Sequence, residues 1–246
     1  NLERAGSLYG SIIYNKAPIM MRQLEQIIGE NNFKAGVQTY IDNFENSNAD
    51  WNDLVNILDQ KTALNIKKWS EVWVNSSGRP IFLDHIVYDE NNTIKSFELH
   101  QKAEDGSNKI WPQSFEISLV YPNKTKTFKV LSNKQVIELS DAIGLNKPNQ
   151  ILYNSNGFGY GVFPTNKSQL KYVSNIDNEV SRAHVYLNAH ENMLLGMLDV
   201  KAVFDLLLNG IKTEQNELIL RLITHQTQNL FWNFLYPKND LELQLK

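Results

Sequence analysis

Apolar side chains return at steps of three and four residues through the first 78 positions, a spacing that predicts amphipathic helices in series. The first carries Met20, Met21, Leu24, Ile27 and Ile28, with Pro18 in its opening turn, where a missing N–H costs nothing. Phe33, Val37, Tyr40, Ile41 and Phe44 form the stripe of a second. A third follows Ser47-Asn48-Ala49-Asp50, a run rich in N-cap side chains, and presents Trp51, Leu54, Val55 and Leu58. Ile66, Trp69, Val72 and Trp73 mark a fourth, which Asn75-Ser76-Ser77-Gly78-Arg79-Pro80 brings to a stop.

Past Pro80 the period drops from near four to two, as in Ile81, Leu83, His85 and Val87, and the pattern becomes that of strands. Ile94 to Leu99, 115–121, 128–131, 136–139 and 151–153 continue it, with polar turns such as Asp89-Glu90-Asn91-Asn92 between them. Six short strands of this kind predict a compact β-sandwich. The glycines of Asn156-Gly157-Phe158-Gly159-Tyr160-Gly161 read as a strand-end turn, because no Lys-Ser/Thr pair follows to make a phosphate loop. From about Asn175 the helical period returns with Val180, His184, Leu187, Met193, Leu198, Val203, Leu207 and Ile211, and 214–234 adds another amphipathic stretch. Helices in series without strands predict a solenoid-like segment, although no repeat period is visible. The expected architecture is therefore multidomain α and β, divided at 1–78, 79–172 and 173–246.

Composition narrows the function classes. The chain has 24 basic and 27 acidic residues, a formal net charge of -3, and no Lys/Arg cluster able to track a phosphate backbone, so nucleic acid is not an expected partner. Zero cysteines remove disulfides, thiolate metal sites and cysteine nucleophiles, and they suit a cytoplasmic, periplasmic or secreted setting equally. No apolar run approaches the roughly 20 residues that span a bilayer. The opening Asn1, without Met, suits a processed or excised piece of a longer protein.

Candidate chemistry is sparse. The histidines are His85, His100, His184, His190 and His225, and no His-Glu-x-x-His occurs. His190-Glu191 lacks the second histidine, and His184 lies six residues before His190, on a different helix face. All five read as structural or surface histidines. Asp89-Glu90 and Glu104-Asp105 adjoin turn residues, and neighbours in sequence point apart, so they read as solvated carboxylates rather than an acid/base pair. There is no Gly-x-Ser-x-Gly elbow for a serine nucleophile.

Several motifs occur together. Tyr14-Asn15-Lys16 opens the first helix, Gly29-Glu30-Asn31-Asn32-Phe33 links it to the second, and Trp69 through Trp73 lead to Gly78-Arg79-Pro80. This stretch resembles the segment downstream of the zinc site in the aminopeptidase N family of zinc metallopeptidases, the gluzincins. Further along, Trp111-Pro112 resembles the family's Trp-x-Pro before a sandwich strand, and Gly159-Tyr160-Gly161-Val162 its final glycine-aromatic strand. The family's glycine after the motif lysine is Ala17 here, and Asn15 replaces a common acid.

The resemblance implies the helical tail of a thermolysin-like catalytic domain, then a β-sandwich, then the start of a helical domain. It implies a catalytic role for Tyr14, as the donor to the oxyanion that forms when zinc-bound water attacks a peptide. It also implies peptide substrates and a zinc ion in a full-length parent. The family's zinc ligands and catalytic glutamate have no counterpart here, so the chain alone is expected to hold no zinc and to be inactive. The alternative is a non-catalytic binding or scaffold module of the same architecture.

Overall fold

A computed structural model describes residues 6, 10–165 and 167–236. Four helices come first: α1 (Ala17–Ile28), α2 (Glu30–Phe44), α3 (Trp51–Asp59) and α4 (Ile66–Ser70). π-helical turns lead into α1 at Ser11–Lys16 and out of α4 at Glu71–Asn75. Six strands follow, β1 (Pro80–Tyr88), β2 (Ile94–Ala103), β3 (Gln113–Tyr121), β4 (Lys124–Ser132), β5 (Val136–Glu138) and β6 (Gln150–Tyr153). A 3₁₀ segment at Lys167–Asn175 precedes α5 (Glu179–Leu194), α6 (Val200–Thr213) and α7 (Glu217–Leu230). The strands form two small antiparallel sheets, ordered β1-β2-β5 and β4-β3-β6, which with the helices gives a multidomain α and β architecture.

The chain falls into two compact units. One takes the described residues within Asn1–Glu116, Phe128–Lys147 and Phe158–Gly161, and the other takes those within Ile117–Thr127, Pro148–Gly157 and Val162–Lys246. Residues 79–172 thus contribute to both.

In the first unit the helical stripes become a core of Met20, Leu24, Val55, Leu58, Trp69 and Trp73, joined by Trp111. Trp73 and Trp111 are each 1% exposed, and Trp73 Nε1 donates to the carbonyl of Pro112 at 2.8 Å. Helices and strand-bearing chain therefore share one apolar centre. Asp50 caps α3 by accepting from the N–H groups of Asn52 and Asp53, while the Asp53 carboxylate accepts the Asp50 N–H at 2.9 Å. Gly29, at φ 90, closes α1 and opens α2, a backbone geometry that other residues adopt only with strain. In β2, alternate positions Phe97, Leu99, Gln101 and Ala103 are buried, as the period of two requires.

The second unit is centred on Leu170, Val173, Tyr186, Met193, Val203, Leu207, Ile219 and Ile223. The helical period that looked continuous from 175 to 211 is split between α5 and α6. Gly196, at φ 72, donates to the Met193 carbonyl at 2.9 Å, and Asp199 accepts the Ala202 N–H at 3.0 Å to start α6.

The glycine-aromatic segment 159–162 is not a strand: 158–160 are irregular and Val162 makes an isolated bridge. The Gln113 side chain takes the place of a ladder, accepting the Tyr160 N–H at 2.7 Å and donating to the Tyr160 carbonyl at 2.9 Å.

Candidate functional site

Tyr14 lies in the π-helical turn Ser11–Lys16, which runs directly into α1, and its side chain is 73% exposed. A π turn admits one more residue than an α turn and re-aims the side chains around it, which is why such turns recur at functional sites. Tyr14 is thus carried on helical backbone with its phenol outward.

What holds that backbone is α1. Met20, Leu24 and Ile28 bury one face, and Gln23 lies fully buried on the same side. Gln23 Oε1 accepts the Ser114 N–H at 2.8 Å, while Nε2 donates to the Ser114 carbonyl at 2.8 Å and also to the Phe158 carbonyl. The Arg22 guanidinium lies 5.5 Å from the Phe158 ring centroid. Buried amides that are fully paired fix one arrangement of the elements they join.

The histidines are dispersed. In the first unit the His85 and His100 rings lie 6.5 Å apart between centroids, tilted by 57°, and His100 Nε2 lies 2.7 Å from the Glu98 carboxylate. In the second unit burial pushes His184 below its ordinary value, opposed by a hydrogen bond to Gly157, and burial lowers His190 as well. Among the described residues no three His, Asp or Glu side chains come together as metal ligands, so these residues do not fit the zinc site that the resemblance implies for a parent.

Residues 2–76, the span that includes Tyr14, α1 and the Trp69–Trp73 core, match the family model of the peptidase family M1 domain. Within that span the chain resembles the M1 peptidases. Over 242 residues the chain is 24% identical to "Probable aminopeptidase 1" of Saccharolobus solfataricus, covering 97% of the chain and 29% of that protein. It is 30% identical over 95 residues to "Aminopeptidase N" of Streptomyces lividans, which covers 39% of the chain and 11% of that protein. It is also 22% identical over 245 residues to "Tricorn protease-interacting factor F2" of Thermoplasma volcanium, 99% of the chain and 29% of that protein. Its fold resembles the crystal structure of Legionella pneumophila aminopeptidase A in complex with aspartic acid, with a TM-score of 0.59 and 15% identity over 88% of this chain and 26% of that one. The chain therefore spans less than a third of the length of these relatives.

Three carboxylates in the turns flanking β1 and β2 are separately committed. Asp89 accepts the N–H groups of Asn91 and Thr93 in its turn, Glu104 pairs with Arg79 at 2.9 Å, and Asp105 pairs with Lys109 at 2.8 Å. Glu104 and Asp105, adjacent in sequence, thus bind different cations. Sequence reasoning overlooked the buried glutamines. Gln23, Gln101 and Gln113 each stand where an apolar residue suits the local period, and that polar intrusion was the available signal.

Proposed function

We propose that this chain is the carboxyl-terminal part of a zinc-dependent aminopeptidase that removes amino-terminal residues from peptides, and that Tyr14 supplies it with an oxyanion-stabilising donor. The observation that carries the reading is the exposed phenol of Tyr14 on a helical turn inside the segment that matches the M1 domain. As a peptide carbonyl becomes tetrahedral, negative charge grows on its oxygen, and an O–H aimed there binds the transition state more strongly than the ground state. Tyrosine suits this because a phenol with an ordinary pKa of about 10 stays protonated at neutral pH and still donates.

Zinc dependence in this reading is a property of the parent, held by residues other than those described, and peptides are the substrates of that parent. The 246-residue chain by itself is inert. Division into a catalytic-domain tail at 1–78, a β-sandwich domain at 79–172 and a solenoid-like start at 173–246 belongs to the same proposal.

Hydrolysis of an aminoacyl chromogenic substrate tests it. The full-length parent turns the substrate over and loses activity to a chelator, while the isolated chain does neither. A parent with an intact fold and no hydrolysis of any aminoacyl substrate identifies a scaffold module instead.

A further inference from the structure

A cavity of about 220 Å³ opens in the second unit between the 3₁₀ segment Lys167–Asn175 and α6. Pockets for drug-sized ligands run from roughly 300 to 1,000 Å³, so the occupant here is small. Its floor is Tyr186 of α5, which is 2% exposed. The phenol oxygen stands over Gly210, where a Cβ would come within 2.7 Å of it, and Gly210 lines the same cavity. Tyr186 owes its place to that missing side chain.

Among the described residues the Tyr186 hydroxyl has no hydrogen-bond partner, and Tyr186 lines the cavity. A buried polar group without a partner is costly, and native structures keep one where water, an ion or a ligand completes it. The two walls carry opposite charge. Lys171 comes from the 3₁₀ segment and has no carboxylate partner among the described residues, its Nζ lying 4.9 Å from the Tyr172 ring centroid. Asp205 comes from α6, where its only ion pair among the described residues is with exposed Lys201 at 3.0 Å. Val173 and Leu206 supply apolar surface between them.

We propose that this cavity binds a free α-amino acid with an uncharged polar side chain, of the glutamine class. Lys171 takes its carboxylate, Asp205 takes its ammonium group, and the Tyr186 O–H donates to the side-chain carbonyl at the floor. A zwitterion satisfies both walls without leaving net charge in the pocket, whereas an anion or a cation leaves one wall unmatched. An aliphatic side chain would leave the phenol unpartnered, and sites built to hydrogen-bond a ligand discriminate strongly against analogues that lack the group. The inference does not rest on peptidase activity.

Ligand-observed NMR on the 246-residue chain tests it with four probes: L-glutamine, L-leucine, N-acetyl-L-glutamine without the ammonium charge, and L-glutamine amide without the carboxylate. Saturable binding of L-glutamine is expected, with the other three weaker by about tenfold or more, as one lost hydrogen bond or charge contact implies. Tyr186→Phe should cut L-glutamine binding about tenfold and leave L-leucine unchanged, and Asp205→Asn should erase the difference between L-glutamine and its N-acetyl form. Melts of both variants confirm the fold, and Asp205→Asn lies on an exposed helix face, so one arm survives if Tyr186→Phe does not fold. No saturable binding by any probe, equal binding of all four, or L-glutamine binding indifferent to both variants overturns the proposal and leaves Tyr186 facing water only.

Discussion

Gln23 of α1 and Ser114 of β3 exchange both members of an amide pair, each at 2.8 Å, joining a helix side chain to a strand backbone as two strands would join each other. Both residues are buried, so water cannot replace either bond. Gln23→Leu keeps the approximate shape and deletes the amide, stranding the Ser114 N–H and carbonyl at about 1–3 kcal/mol per buried group. The denaturation midpoint should fall accordingly, with an unchanged denaturant slope. An unaltered midpoint would mean that the pair contributes nothing to holding α1.

Gly161 lies at φ 138, and a Cβ there would come within 2.6 Å of the Pro80 carbonyl oxygen. That atom is backbone and cannot swing aside. Gly161→Ala should destabilise the chain by at least the roughly 1–3 kcal/mol of one strained backbone position, visible as a lower thermal midpoint. A midpoint equal to the parent's would contradict the contact.

Arg182 and Glu214 form a two-pronged ion pair at 2.7 and 2.8 Å, with side chains 13% and 2% exposed. Hydrogen bonding from Arg182 holds the Glu214 carboxyl below its ordinary 4.5, and the N–H groups of Asn216 and Gln215 act in the same direction. The carboxylate binds a proton more readily when unfolded, so its contribution is present above 4.5 and is lost as pH falls through the folded value. Glu214→Gln should destabilise by about 3–5 kcal/mol at neutral pH, because Arg182 is left without its counter-ion. The variant should also lose part of the acid sensitivity, and equal acid unfolding of both proteins would count against the assignment.

Much of the fold was legible because burial writes a period into the chain. Met20, Leu24 and Ile28 on α1 and Phe97 and Leu99 on β2 face inward as their spacing required. Where an element owes its form to tertiary partners, that signal fades. Strand β4 begins at Lys124, earlier than its apolar residues indicate, because it lies at a sheet edge and its first half is exposed. Segment 159–162 carries strand-like residues, yet the Gln113 side chain occupies the Tyr160 backbone groups that a ladder would use. Tyr14 is singled out by its motif alone, since an exposed tyrosine before a helix carries no periodic signal of its own.

His184 offers a second window in pH. Burial lowers it from its ordinary 6.5, and Gly157, at φ 73, leaves no room there for a side chain, since a Cβ would lie 2.7 Å from Val180 Cγ1 and 3.3 Å from the imidazole. The unfolded chain binds the proton first, so stability should fall as pH drops below about 6.5, well before the window of Glu214. His184→Gln should flatten this part of the profile. A variant with the parent's slope between pH 7 and 5 on the order of the standard histidine range would place the sensitivity elsewhere.

The central claim concerns Tyr14, and steady-state kinetics of Tyr14→Phe in the full-length parent test it most directly. The substitution keeps the ring and deletes the O–H, at an exposed position where the fold should tolerate it. Loss of one oxyanion donor costs about 2.7–4 kcal/mol, so kcat should fall roughly 10²- to 10³-fold with KM nearly unchanged and the thermal midpoint preserved. A variant that keeps the parent's kcat would contradict the account and leave Tyr14 a surface aromatic with no part in the chemistry.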